Sequence, residues 1–90
     1  MLSNEFKVAC EIYKADVQKE HIWFTRLVER LEPNVSKNTI SDSLDTLSDW
    51  GIIKGEYRRI DTDQFGVLFQ INNEHKDRIK EIYELYYENK

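Results

Sequence analysis

Apolar residues recur along the chain with two periods, and the changes of period divide it into elements. Residues 36–53 read SKNTISDSLDTLSDWGII. Ile40, Leu44 and Leu47 fall at i, i+4 and i+7, one stripe of a 3.6-residue period, so the segment predicts a helix with one core-facing side. Ser36 offers a side-chain oxygen to the free N–H groups of the first turn, and Gly51 tolerates the left-handed conformation just past a helix end. Upstream, Phe6, Cys10, Tyr13 and Val17 form one stripe of a first helix that Asn4 can cap and that runs to about Val17. Val8 and Ile12 project from a second side of it. Such a helix is either wrapped by the core or offers its second side to another copy of the chain. The β-branched and aromatic run at 21–24 predicts a short strand. Thr25 then caps a short helix from Arg26 to about Leu31, with Leu27, Val28 and Leu31 inward.

Pro33 forces Glu32 out of helical geometry, so the chain turns before the helix at Ser36 begins. Two helices joined by a short turn, the second capped and half polar, form a helix-turn-helix. Past Gly51, IIKGEYRRI and FGVLFQI flank the turn residues Asp61, Thr62, Asp63 and Gln64 and predict a β-hairpin. Phe69 and Ile71 alternate with Gln70, as a sheet with one buried face requires. Asn72 or Asn73 then caps a last helix to about Glu88, with Ile79, Ile82, Tyr83 and Tyr86 as its stripe. Leu85 and Tyr87 lie off that stripe, so this helix too has apolar surface to spare. With no linker composition and no internal repeat, residues 1–90 read as one domain.

The 90 residues are 40% hydrophobic, 12% aromatic and 33% charged, an ordinary globular balance. No apolar run approaches the roughly 20 residues that span a bilayer, and no signal-peptide pattern opens the chain, so a cytoplasmic, non-membrane protein is expected. Cys10 lacks a disulfide partner and reads as a small core residue; with two histidines it makes no metal constellation at any recognised spacing. His21 and His75 read as surface or packing residues. Without a phosphate-cradling glycine loop or a nucleophile–base set, no enzyme and no cofactor are expected. Net charge is −4, with the acidity concentrated late: residues 61–90 hold four basic and seven acidic groups, while residues 34–60 hold four of each. A nucleic-acid contact would therefore depend on local arrangement and on docking two copies rather than on a broad basic field.

The order helix, short strand, helix, turn, helix, hairpin, helix resembles a winged helix-turn-helix domain over nearly the whole chain. Ser36, Thr39, Ile40, Ser41, Leu44, Leu47, Gly51, Ile52 and Ile53 carry the resemblance, and the run LDTLSDWGII is similar to small archaeal winged-helix regulators. The resemblance implies a mainly α fold with a small β-hairpin wing (α+β): a recognition helix at about 36–50, a wing at about 53–71 and a C-terminal helix at about 73–88. It implies a transcriptional regulator that binds double-stranded DNA as a homodimer, paired through the first and last helices. Ser36 and Thr39 would then hydrogen-bond phosphates, Lys37 would add charge, and Asn38 could pair bidentately with adenine. Ser41 would reach a phosphate or base edge, Arg58 and Arg59 the backbone or minor groove, and Thr25 a phosphate at the preceding helix N-terminus.

Plain readings stand beside these. Ser36 caps its helix with or without DNA, and Thr39 is equally suited to a hydrogen bond within the helix. Arg58 and Arg59 alternate along a strand, so one is expected to face a partner and the other to pair with Asp61 or Asp63. Trp50 reads as a core lid and Trp23 as core. Opposite the apolar stripe of the recognition helix lie Asn38, Asp42, Asp45 and Asp49, and many DNA-reading relatives carry Arg, Lys or His at the positions of Asp42 and Asp45. Two like charges roughly 4 Å apart in water already cost about 1 kcal/mol. Either the helix docks by its first turn and a half with the aspartates tilted away, or the acidic face or the outer apolar helices serve a protein partner; solvated charge is the plain reading of Asp45 and Asp49.

Overall fold

A computed structural model describes residues 3–87, with the backbone alone for Ile60, Asp61, Tyr86 and Tyr87. Helix α1 (Asn4–Val17) leads to α2 (Phe24–Leu31) and α3 (Lys37–Asp49). Strands β1 (Ile53–Asp61) and β2 (Gln64–Ile71) form an antiparallel hairpin in which Ile53 faces Ile71 and Asp61 faces Gln64. A 3₁₀ turn (Asn73–His75), helix α4 (Lys76–Ile82) and a π-helical turn (Tyr83–Tyr87) follow. Helix α1 is central and touches each of the other helices and β2. Val8 and Ile12 of α1, Leu27 of α2, Ile40 and Leu47 of α3 and Ile79 of α4 are fully buried in one core. Each contributes roughly 1.5–3 kcal/mol by leaving water.

Ser36 caps α3 as expected, accepting from the Thr39 N–H at 3.2 Å. The far end closes through Gly51 at φ +75°, with the Gly51 N–H donating to Ser48 C=O and the Ile52 N–H to Leu47 C=O, both at 3.0 Å. Those paired bonds absorb two of the carbonyls that a helix end leaves open. The same pattern ends α1, where Glu20 N–H reaches Ala15 C=O at 2.8 Å, but the left-handed residue is Lys19 at φ 58°.

Several elements differ from their sequence-based outline. Ser3 rather than Asn4 caps α1, accepting from the Phe6 N–H at 3.3 Å. Val17 is 58% exposed, because α1 turns Ala9, Ile12 and Ala15 toward the core as well as Val8 and leaves its last apolar residue outside. The strand expected at 21–24 is reduced to one bond, Phe69 N–H to Ile22 C=O at 3.0 Å, because Phe24 already begins α2. The cap position of α2 is accordingly Trp23, without a side-chain bond, and Thr25 lies inside the helix. Neither Asn72 nor Asn73 caps α4: the Asn72 side-chain amide instead donates to Gly51 C=O at 2.6 Å, tying the end of the hairpin to the end of α3. The expected end of the last helix near Glu88 and the place of the Tyr86 side chain lie outside the described residues.

Trp50 is no lid: it is 56% exposed. The backbone leaves the helix at this residue, and Ile52 and Ile53, both buried, cover the core in its place. Trp23 is half-buried. Ion pairs brace the bundle, one of them on the buried Glu11. Arg30 of α2 reaches Glu11 of α1 at 3.5 Å and Glu20 beyond it, and Lys76 of α4 reaches Asp16 of α1 at 3.0 Å.

Candidate nucleic-acid interface

The polar tip of α3 is built by its cap. Ser36 Oγ accepts from the Thr39 backbone and donates to Thr39 Oγ1 at 2.8 Å. The bond within the helix that was one of the two readings of Thr39 is therefore present, and its side chain is half-buried. Lys37, Asn38 and Ser41 are exposed around this cap. Lys37 Nζ lies 6.0 Å from the centre of the Phe24 ring, which joins the tip of α3 to the start of α2. Thr25, in the first turn of α2, is exposed beside Ser41, and both border a cleft of about 410 Å³ between α3 and the hairpin.

The hairpin projects past the helices. Arg58 and Arg59 are both exposed, which departs from the expectation that only one would face outward. Beyond the body of the protein neither strand face has anything to bury it. Arg58 pairs with Glu56, two residues back on the same strand face, at 3.0 Å, whereas the expected pairing with Asp61 falls on a side chain outside the described residues. An exposed pair of this kind contributes little stability and yields readily to a phosphate. Arg59 sits with its guanidinium carbon 5.5 Å from the Phe65 ring centre. On the same strand face as Arg59, Tyr57 stacks on Phe65 with ring centres 5.5 Å apart and planes within 3°.

The sequence reading did not single out this aromatic face. The signal was present in the alternation of Phe65, Val67 and Phe69 with Gly66 and Leu68, which continues past the length that the core can cover. Asp42, Asp45 and Asp49 are exposed along α3, and Asp45 borders the cleft with Thr25 and Ser41. The tip residues of α3 and Thr25 thus share one surface. Arg58 and Arg59 stand apart from it on the hairpin, across the cleft.

Cys10 is fully buried, and burial, followed by the neighbouring Glu11 charge, pushes its thiol up to about 12. It stays protonated at neutral pH, where a thiol is a weak nucleophile and metal ligand. Among the described residues no three His, Cys, Asp or Glu side chains gather as a metal set, and no helix is long and apolar enough to cross a membrane.

No protein-family profile and no curated protein sequence matches the chain. Its fold, however, is found among solved structures. The circadian clock associated protein Pex from Anabaena superposes with a TM-score of 0.72 at 16% identity, over 94% of this chain and 77% of that one. A PadR family transcription regulator from Clostridium difficile gives 0.69 at 13% identity, over 91% of this chain and 85% of that one. Pex from Synechococcus gives 0.65 at 22% identity, over 94% and 82%. The chain therefore has the winged helix-turn-helix fold, mostly helical with a two-stranded wing.

Proposed function

We propose that this winged-helix protein is a cytoplasmic transcriptional regulator that binds double-stranded DNA as a homodimer. The observation that carries the reading is the exposed tip of α3, where Lys37, Asn38 and Ser41 stand free around the Ser36 cap and beside Thr25. A helix presenting its N-terminal turn in this way enters a major groove end-on, with hydroxyls and N–H groups toward phosphates and Asn38 toward a base edge. End-on entry also keeps Asp49, roughly three turns behind the start of the helix, away from the backbone. Arg58 and Arg59 on the wing then meet flanking phosphates. The transcription-regulator role of the Clostridium difficile neighbour agrees with this, and the archaeal regulators that the LDTLSDWGII run resembles fall in the same class.

The test is anisotropy of a labelled random duplex at two salt concentrations, followed by a selected site. Binding is expected at low salt and should weaken as salt rises. Asn38→Ala should relax sequence preference at one base, where a bidentate amide is worth about 1–3 kcal/mol of discrimination. Arg59→Ala should weaken all sequences alike and lower the salt slope by about 1. Undetectable binding at low salt with tens of micromolar protein would sink the reading. The exposed aspartate flank of α3 favours the second reading in that event, a module that binds a basic protein surface.

A further inference from the structure

The cleft between α3 and the wing has a chemistry of its own. Its volume of about 410 Å³ falls in the range of small-molecule sites, and its walls include Trp23, Phe24, Phe65, Phe69 and Val67. Phe24 and Phe69 pack against the core with part of each ring, which fixes that wall, and the remainder of each faces the cleft. Hydroxyls of Thr25, Ser41 and Ser48 add polar contacts along the helical wall. Among the described residues Asp45 is the one charged side chain that lines it.

Aromatic walls with a single carboxylate select a ligand with an apolar body and one positive charge. The ring faces attract a cation through their quadrupoles, and the carboxylate supplies the counter-charge. Two of these rings already meet cations at the rim, Phe24 from Lys37 and Phe65 from Arg59. Neither cation lines the cleft itself, whose one charged lining side chain among the described residues is Asp45. Asp42 and Asp49 on the same helix reinforce the negative end instead.

We propose that the cleft between α3 and the wing is a binding site for a small aromatic organic cation, with Asp45 as its counter-ion. The site stands on its lining alone. Its effect on DNA rests on the reading above: because Thr25 and Ser41 belong to both surfaces, a bound cation and a duplex exclude each other, and each lowers the affinity of the other by the same factor.

A ¹H–¹⁵N NMR titration of the whole chain with benzyltrimethylammonium tests the site, with benzyl alcohol and benzoate as neutral and anionic counterparts. The cation should move the Trp23 indole N–H and the amides of Ser41, Asp45, Ser48, Gly66 and Val67. Asp45→Asn, at an exposed position that leaves the fold intact, should weaken its binding about tenfold. Phe65→Ala should also weaken it, and benzoate should leave these signals unmoved. Equal shifts from benzoate, or an unchanged titration of Asp45→Asn, would overturn the proposal. In a second arm, saturating cation should release duplex from the wild-type chain more than from Asp45→Asn. If the chain binds no DNA at all, that arm fails with the functional reading, while the NMR titration still decides the site.

Discussion

Two helices of this protein end in the same hydrogen-bonded motif with different residues at its left-handed position. Gly51, at φ +75°, closes α3, and Lys19, at φ 58°, closes α1. A residue with a Cβ is strained in that region by roughly 1–2 kcal/mol, while glycine is not. Nothing lies within 4 Å of a Cβ built on Gly51, so the cost of Gly51→Ala is conformational and should be about 1 kcal/mol. Lys19→Gly removes the corresponding strain and should stabilise the chain by up to about 1 kcal/mol, since the glycine also loosens the unfolded state. Urea denaturation of both variants reads the two signs directly. A Lys19→Gly protein no more stable than wild type would mean that the lysine's left-handed turn is relieved by contacts its side chain makes.

Within the wing the constraint on glycine is spatial. A Cβ on Gly55 of β1 would stand 2.6 Å from Val67 Cγ1 on β2, closer than such atoms approach, whereas its backbone is ordinary. Gly55→Ala should therefore destabilise by about 1–3 kcal/mol as an overpacking change. Val67→Ala in the same chain should restore most of the loss, since the two residues share one contact, and a double-mutant cycle in thermal denaturation measures that coupling. No such rescue is expected for Gly51→Ala. The elements themselves were legible in proportion to how locally they are specified. Helix α3 carries its cap, stripe and stop within sixteen residues, and all three are where the spacing puts them. The cap of α1 was assigned to Asn4, one residue late, because Ser3 and Asn4 are both good caps and only the true first turn chooses. Trp50 extends the stripe of Leu47 by three residues and so looked buried, but the helix ends before the period can act. The 21–24 run fits a half-buried surface equally well as strand or as helix start, and its place beside β2 was a tertiary fact. At the candidate interface, the exposure of Lys37, Asn38 and Ser41 followed from the helix period. The Glu56 partner of Arg58 and the turn of Asp45 into the cleft depended on how far the wing projects, which no periodicity encodes.

At the scale of the molecule, the first and last helical segments carry uncovered apolar side chains. Tyr13 of α1 and Tyr83 pack with ring centres 5.4 Å apart, Val17 borders the same hollow, and Val17 and Leu85 are 58% and 55% exposed. A small domain gains disproportionately by covering such surface, and a two-fold axis is the usual way to cover it with itself. The dimensions suit the proposed DNA reading. The molecule extends over 40 × 29 × 25 Å, of the same order as one turn of B-DNA, about 34 Å. Sedimentation equilibrium of the wild-type chain should then give twice the chain mass, with a melting temperature that rises with protein concentration. Val17→Glu combined with Leu85→Glu places four like charges across the axis, so it should halve that mass while leaving the far-ultraviolet circular dichroism unchanged. The same variant keeps the tip of α3 intact and should bind a half-site as the wild type does, yet lose the preference for two half-sites one turn apart over two set half a turn out of phase. A wild-type chain that sediments as a monomer with a concentration-independent melting temperature would rule the dimer out without touching the reading of the helix tip, because the two rest on different side chains.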